Sequence, residues 1–403
     1  MTAALSELER KIVADIGARA PRLMADLRRF VETPTGPGAT EGLDELRQAM
    51  RQRLEALGAA SELIPGQPCP EWLRRGAANE LPPVLMCRRA RAGKPRILLS
   101  GHLDTVHDPA SPFRALTIAP DGTTGTGPGC VDMKGGLVIA LHAMEVLDAA
   151  GMEASWSFIL NSDEETGSYH SDTALRVAAR EHDVGLALEP AGAGGALITE
   201  RAGSGQFLIE CRGKPAHVGR DFASGVSAVN ALAKCICRVA ELPRPEQGIV
   251  ANIGPLQGGI AANVVAESAR AWGNIRYPDA PAGHALEQAL KSMETPAEAL
   301  PGVSVRTSLN RPAKPLTPQV QRLAALARAA AEDLGQKLPY GKTGGVCDGN
   351  NLQAAGVPTI DTLGVRGGGL HTPQEWIELP SLVERCQLLA VLISRLSHGA
   401  WKS

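Results

Sequence analysis

Short apolar runs that end in acids or imidazoles constrain this chain more than any other feature. Ile97-Leu98-Leu99 runs into Ser100-Gly101-His102-Leu103-Asp104. Trp156–Leu160 runs into Asn161-Ser162-Asp163-Glu164-Glu165, and Val184–Leu188 into Glu189-Pro190. Val357–Leu363 is followed by Gly364-Val365-Arg366-Gly367-Gly368-Gly369-Leu370-His371. Runs this short and this apolar are the signature of buried strands. Between them lie helical stripes, with Leu137, Leu141, Met144 and Leu147 on one face of Gly136–Leu147, and an Ala-rich segment at Thr173–Arg180. Strands alternating with helices predict an α/β fold with a mostly parallel sheet covered on both faces.

The rest of the chain divides around that pattern. The first sixty residues read as helix, with Leu43, Leu46, Met50 and Leu54 sharing a face until Pro65-Gly66-Gln67-Pro68 interrupts. Past Thr199 the style changes. Gly205–Arg212 reads as a strand, Val226–Leu242 as a helix, and Ile249–Gly254 and Asn263–Tyr277 as two strands. A helix at His284–Met293 and a strand at Val303–Asn310 follow. The order β-α-β-β-α-β is that of a ferredoxin-like α+β unit. We expect it as an insertion, residues 202–310, in a discontinuous domain formed by 1–201 and 311–403. The α/β style resumes with a helix at Gln319–Leu334 and ends with one at Ser381–Leu396.

Charge and composition exclude several classes. The net charge is −2, from 41 basic and 43 acidic residues, so there is no electrostatic case for a nucleic-acid or anionic-membrane partner. No apolar run approaches the ~20 residues of a membrane span. The eight cysteines are scattered, without CxxC spacing, and a chain this long needs no disulfide framework. The opening MTAALSELERKIVADIG carries charges where an export signal needs an apolar core. The expectation is a soluble, cytoplasmic protein.

In an open α/β sheet, ligands bind beyond the C-terminal ends of the strands. Here those ends deliver His102, Asp104, Glu164, Glu165, Glu189 and His371. The Gly-rich loop Gly127-Pro128-Gly129-Cys130-Val131-Asp132-Met133-Lys134-Gly135-Gly136 adds Asp132. Carboxylates crowded on one edge repel, and some must bind protons unless cations neutralise them. Two cations suit two histidines and three acids if one acid bridges. Borderline-soft zinc takes imidazole nitrogen and carboxylate oxygen at roughly 2.0–2.2 Å. Asp104, two residues beyond His102, is expected to accept the second ring N–H of His102 and fix its tautomer.

The segments SGHLDTV, GPGCVDMKGG, NSDEETGS, LEP and GGGLHTP, in this order and spacing, resemble the dinuclear zinc exopeptidases. That family includes glutamate carboxypeptidase of the carboxypeptidase G type, aminoacylase and succinyl-diaminopimelate desuccinylase. The resemblance runs from about Ile97 to His371. It implies that His102, Asp132 and Glu189 hold one zinc, and that Asp132, Glu165 and His371 hold the other, two Zn²⁺ per subunit with Co²⁺ or Mn²⁺ as possible substitutes. It implies Glu164 as general base and a cis peptide bond at Asp132–Met133. The inserted unit resembles the family's lid and dimerisation domain. Lys214-Pro215-Ala216-His217-Val218-Gly219 then implies that His217 serves the partner subunit's site in a homodimer. Asn263, Arg276 and Arg311 fall where relatives grip a substrate carboxylate. Thr343–Asn350, with Gly345, resembles a Gly-rich substrate loop.

These resemblances imply a metal-dependent hydrolase of a small substrate with a free carboxylate. The first expectation is a carboxypeptidase G-like enzyme that releases a free amino acid from a dipeptide or N-acyl amino acid. A biosynthetic deacetylase or desuccinylase shares the same chemistry. An inactive binding homologue is the alternative of another class.

Overall fold

The computed structural model describes residues 4–74 and 81–401. The chain divides into two compact units. One comprises Met1–Glu200, Leu316–Lys342 and Cys347–Ser403; the other comprises Arg201–Pro315 and Thr343–Val346. The second unit thus extends past the expected 202–310 segment to Pro315, and a short return at 343–346 joins it.

The first unit is built on a six-stranded sheet. Its order is Ala60–Ile64, Val84–Arg89, Ser155–Asn161, Arg96–His102, Val184–Ala187 and Thr359–Ile360. The last four strands are mutually parallel, and the first two add an antiparallel edge. Arg96–His102 lies in the middle, and every residue after Arg96 is buried. Its neighbour Ser155–Asn161 is buried throughout, as a strand covered on both faces must be. Register pairs His102 with Asn161 and Ser100 with Ala187. Parallel strands end on the same side, so this register lines up the residues that follow all three.

Helices cover the sheet. Gly135–Ala149 is apolar nearly all round, as suits a helix enclosed on every side. It packs against Pro380–Arg395 and Glu7–Ala18. Its first turn fits tightly: a Cβ on Gly136 would lie 2.2 Å from the carbonyl oxygen of Leu188. That contact sets the start of the helix, and the Asp132 loop before it, against the strand end that leads to Glu189.

Several elements differ from the sequence reading, three of them for clear local reasons. The edge strand Ala60–Ile64 has mostly exposed side chains and so lacks an apolar run. The long run Val357–Leu363 shrinks to Thr359–Ile360. Pro358 has no N–H for the ladder, and Thr362 takes a positive φ of 61°. Asp348–Ala354, read as the end of a loop, is a helix whose entry is fixed by Asn350 Oδ1 accepting the Cys347 N–H at 3.0 Å.

The second unit is a four-stranded antiparallel sheet, in the order Val250–Gly258, Ser268–Tyr277, Gly203–Arg212, Gly302–Arg311. Helices Ala228–Ala240 and Ala280–Lys291 pack on it around Phe207, Ile209, Leu232, Ile275 and Leu290. Numbered within the unit, the strand order is 2-3-1-4, the ferredoxin-like arrangement.

The Gly136 contact is testable. In an open helix Gly→Ala stabilises by about 1 kcal/mol. At Gly136 the methyl meets a backbone carbonyl that no rotamer change can move, and overpacking of this kind costs roughly 1–3 kcal/mol. Gly136→Ala is therefore expected to lower the urea midpoint of unfolding, against the helix-propensity trend.

Candidate metal centre

His102 closes the central strand, and its ring is almost fully buried. Nδ1 lies 2.9 Å from the backbone oxygen of Asp104. A carbonyl oxygen only accepts, so Nδ1 carries a proton and Nε2 points the other way. There it meets Asp132 Oδ1 at 3.2 Å and Glu189 Oε2 at 4.0 Å. The Asp104 carboxylate stands 3.4 Å from Nδ1, so its own carbonyl is the nearer of two acceptors that face this ring nitrogen. The carboxylate also accepts the backbone N–H groups of Glu164, at 3.2 Å, and Glu165, at 3.0 Å. Asp104 thus faces His102 with both its carbonyl and its carboxylate and holds the Glu164-Glu165 loop through its side chain.

Asp132 lies between the two imidazoles. Oδ1 faces His102, and Oδ2 faces His371 Nε2 at 3.6 Å. His371 Nε2 also lies 3.1 Å from Glu165 Oε2. The Asp132–Met133 peptide bond is cis. His371 has a φ of 62°, uncommon for a residue with a Cβ, and its side chain is half exposed. One ligand atom each from His102, Asp132 and Glu165 falls within 4.8 Å of the others.

The electrostatics of the protein alone show what this group lacks. His371 is pushed up to about 10 by its hydrogen bonds to Asp132 and Glu165. Burial opposes a charge on His102, yet bonds to Asp104 and Asp132 prevail and raise it well above the ordinary histidine range. Burial likewise opposes ionisation of Asp132, but both imidazoles hold it below the usual carboxylate range. Glu165 is raised by burial, with Asp132 and Asp104 adding to the effect. Protons on the histidines therefore stand where cations would balance the same acids. A nitrogen-and-oxygen donor set of this kind fits zinc, cobalt or manganese.

A second ring of buried groups holds the acidic loop. Asp163 Oδ2 accepts N–H groups of His170, at 2.6 Å, and Ser171, at 3.3 Å. Burial pushes Asp163 up to about 7, with the charges of Asp104 and Asp348 adding. Asp348 receives Asn161 Nδ2 on one oxygen and Ser168 Oγ on the other, both at 2.6 Å. Sequence reading placed Asp348 in a substrate loop and assigned Asp163 nothing. Only their position beside the DEET turn, 180 residues away from Asp348 in the chain, reveals the role.

His217, Asn263, Arg276, Arg311 and Gly345 all belong to the second unit. His217 is exposed, and its Nδ1 accepts the Gly219 N–H at 3.1 Å, which leaves Nε2–H as an outward donor. The Asn263 carbonyl receives the Val218 N–H at 3.0 Å, so His217 and Asn263 sit on adjoining segments. Arg276 and Arg311 flank Ser204 from the two neighbouring strands. Burial and the nearby Arg311 charge lower Arg276 from the usual arginine range. The Gly345 carbonyl accepts from Arg201 Nη1 at 3.2 Å.

The profile of peptidase family M20/M25/M40 matches residues 98–395. Carboxypeptidase G2 of Pseudomonas sp. is 26% identical over 398 residues, covering 94% of this chain and 90% of that protein. A tripeptidase from Staphylococcus aureus superposes with a TM-score of 0.74 at 22% identity, over 94% of this chain and 99% of that one. A Bacillus subtilis protein, described as a dinuclear metal-binding peptidase of the M20 family, gives 0.64 at 18%, over 95% and 99%.

The titration of His371 sets a pH dependence. Its folded value of about 10 lies above the ordinary 6.5, so its contribution is complete below pH 6.5 and is lost as pH rises through 10. The metal-free protein is expected to lose melting temperature between pH 6.5 and 10. Adding zinc at pH 7 should release protons, read by calorimetry in buffers of different ionisation enthalpy.

Proposed function

The chain belongs to peptidase family M20/M25/M40, a family of amide-bond hydrolases, and we propose that it is a carboxypeptidase G-like exopeptidase using two zinc ions. Its substrate on this reading is a dipeptide or N-acyl amino acid, cleaved to release a free amino acid. The observation that carries the proposal is Asp132, whose two carboxylate oxygens face His102 and His371 separately. An acid shared in this way is what a pair of cations requires. The near full-length similarity to carboxypeptidase G2 supports the choice of substrate class.

His102, Asp132 and Glu189 would hold one ion, and Asp132, Glu165 and His371 the other. When bound, the pair supplies positive charge that polarises an amide carbonyl and acidifies water. Glu164 takes the proton from the attacking water and returns it to the departing nitrogen. Its backbone is fixed on Asp104, beside the ligand Glu165. His217 offers Nε2–H to the oxyanion, acting on the partner's site in a homodimer joined through the second unit. Arg276 and Arg311, with Asn263 and the Gly345 loop, bind the substrate carboxylate. A cytoplasmic location fits eight cysteines, none of them paired.

Four experiments test this. Metal analysis of purified protein should find close to two zinc or cobalt ions per chain, and a screen of N-acyl amino acids and dipeptides should find a substrate. Glu164→Ala should keep both ions and lose at least ~100-fold in turnover; equal turnover would remove the base. Mixed dimers of His217→Ala and Glu164→Ala chains should regain part of the activity that each homodimer lacks. No recovery in verified heterodimers would place His217 in its own chain's site.

A further inference from the structure

Four residues beyond His371, Glu375 is 1% exposed, and its carboxylate reaches the loop that carries Asp132. Oε1 accepts the N–H groups of Val131 at 2.9 Å and Asp132 at 3.0 Å. Oε2 accepts the N–H of Gly129 at 2.9 Å and receives His107 Nε2 at 2.5 Å. Three backbone donors from four consecutive residues therefore converge on one buried carboxylate, the kind of nest that binds an anion.

The sheet register explains why it is there. Trp376–Glu378 pairs antiparallel with Thr124–Thr126, Trp376 opposite Thr126. The Glu375 carbonyl continues the ladder by accepting the Gly127 N–H at 3.3 Å. This seats Glu375 under the Gly-rich loop. The turn before it is compact: Gly369 has φ 68°, and a Cβ there would lie 2.4 Å from the Gln374 carbonyl oxygen. One short turn thus presents His371 to the carboxylate of Asp132 and Glu375 to its backbone. Lys134, also buried, donates Nζ to the Thr33 carbonyl at 2.8 Å.

We infer that Glu375 is a positioning residue of the metal centre: by anchoring Gly129, Val131 and Asp132, it aims the Asp132 carboxylate between His102 and His371 and sets how tightly the cations are held. The inference rests on the two-cation reading above. Removing a group that orients a metal ligand typically weakens binding about 10–100-fold.

The test compares wild type, Glu375→Gln and Gln374→Ala in three measurements. These are zinc affinity by chelator competition, the visible absorption of the cobalt form, and the melting temperature of the metal-free protein. Glutamine keeps the size of the side chain but replaces one accepting oxygen with an NH₂ that cannot accept. Glu375→Gln is expected to lose about 10–100-fold in zinc affinity and to shift the cobalt bands. Gln374→Ala, exposed on the same turn, should match wild type. A lower metal-free melting temperature with unchanged affinity and cobalt spectrum would overturn the inference, because a purely structural carboxylate gives that pattern. If Glu375→Gln does not fold, Glu375→Asp is read in the same assays. Weakened binding there supports the inference and wild-type binding overturns it. Failure of wild type itself to bind two cations would count against the two-cation reading, whereas equal zinc affinity and cobalt spectra in wild type and variant would sink only the role of Glu375.

Discussion

Mutual repulsion among carboxylates at one sheet edge is the constraint on which the rest of this structure depends. Asp132, Glu165 and Glu189 converge on His102 and His371 at distances of 3.1 to 4.0 Å. Such a group holds together only with positive charge inside it. In the protein alone the imidazoles take up that charge as protons. Divalent cations do it better, because each can accept lone pairs from several donors at once. On the proposed function, the polarity of the site and its capacity to activate an amide share one cause.

The scaffold holds these like charges close by fixing the segments that carry them. Asp104 grips the N–H groups of Glu164 and Glu165, Asp348 grips Asn161 and Ser168, and Glu375 grips the loop of Asp132. Each clamp is itself an acid, and each accepts hydrogen bonds on both of its carboxylate oxygens. The ligands consequently need little freedom of their own. Gly136 completes the arrangement by letting a helix start against the Leu188 carbonyl, where a methyl group would have no room.

Much of this was legible in the chain before any fold was known. Parallel strands buried on both faces read as apolar runs, so Arg96–His102, Ser155–Asn161 and Val184–Ala187 were visible within a residue or two. The ferredoxin-like order of the inserted unit was visible because its helices and strands alternate with clear periodicity. Ala60–Ile64 escaped because an exposed edge strand has no apolar signature. The short strand Thr359–Ile360 was overestimated because apolar character continues past the residues that can pair.

The candidate ligands were determined by sequence alone, since their types and places after strands are properties of the chain. The clamps were decided by tertiary structure. Asp104 was assigned to the His102 ring from its spacing, and its carboxylate, 3.4 Å from that ring, also holds a loop sixty residues away. Asp348 and Glu375 carry no local signal, because the groups that they hold lie 180 and more than 240 residues distant. Asp348 takes side-chain donors, but the backbone N–H groups that Asp104 and Glu375 accept are blind to the identity of the residue that offers them. The partner of a clamping acid is therefore set by sheet register and loop placement, which exist only once the chain has folded.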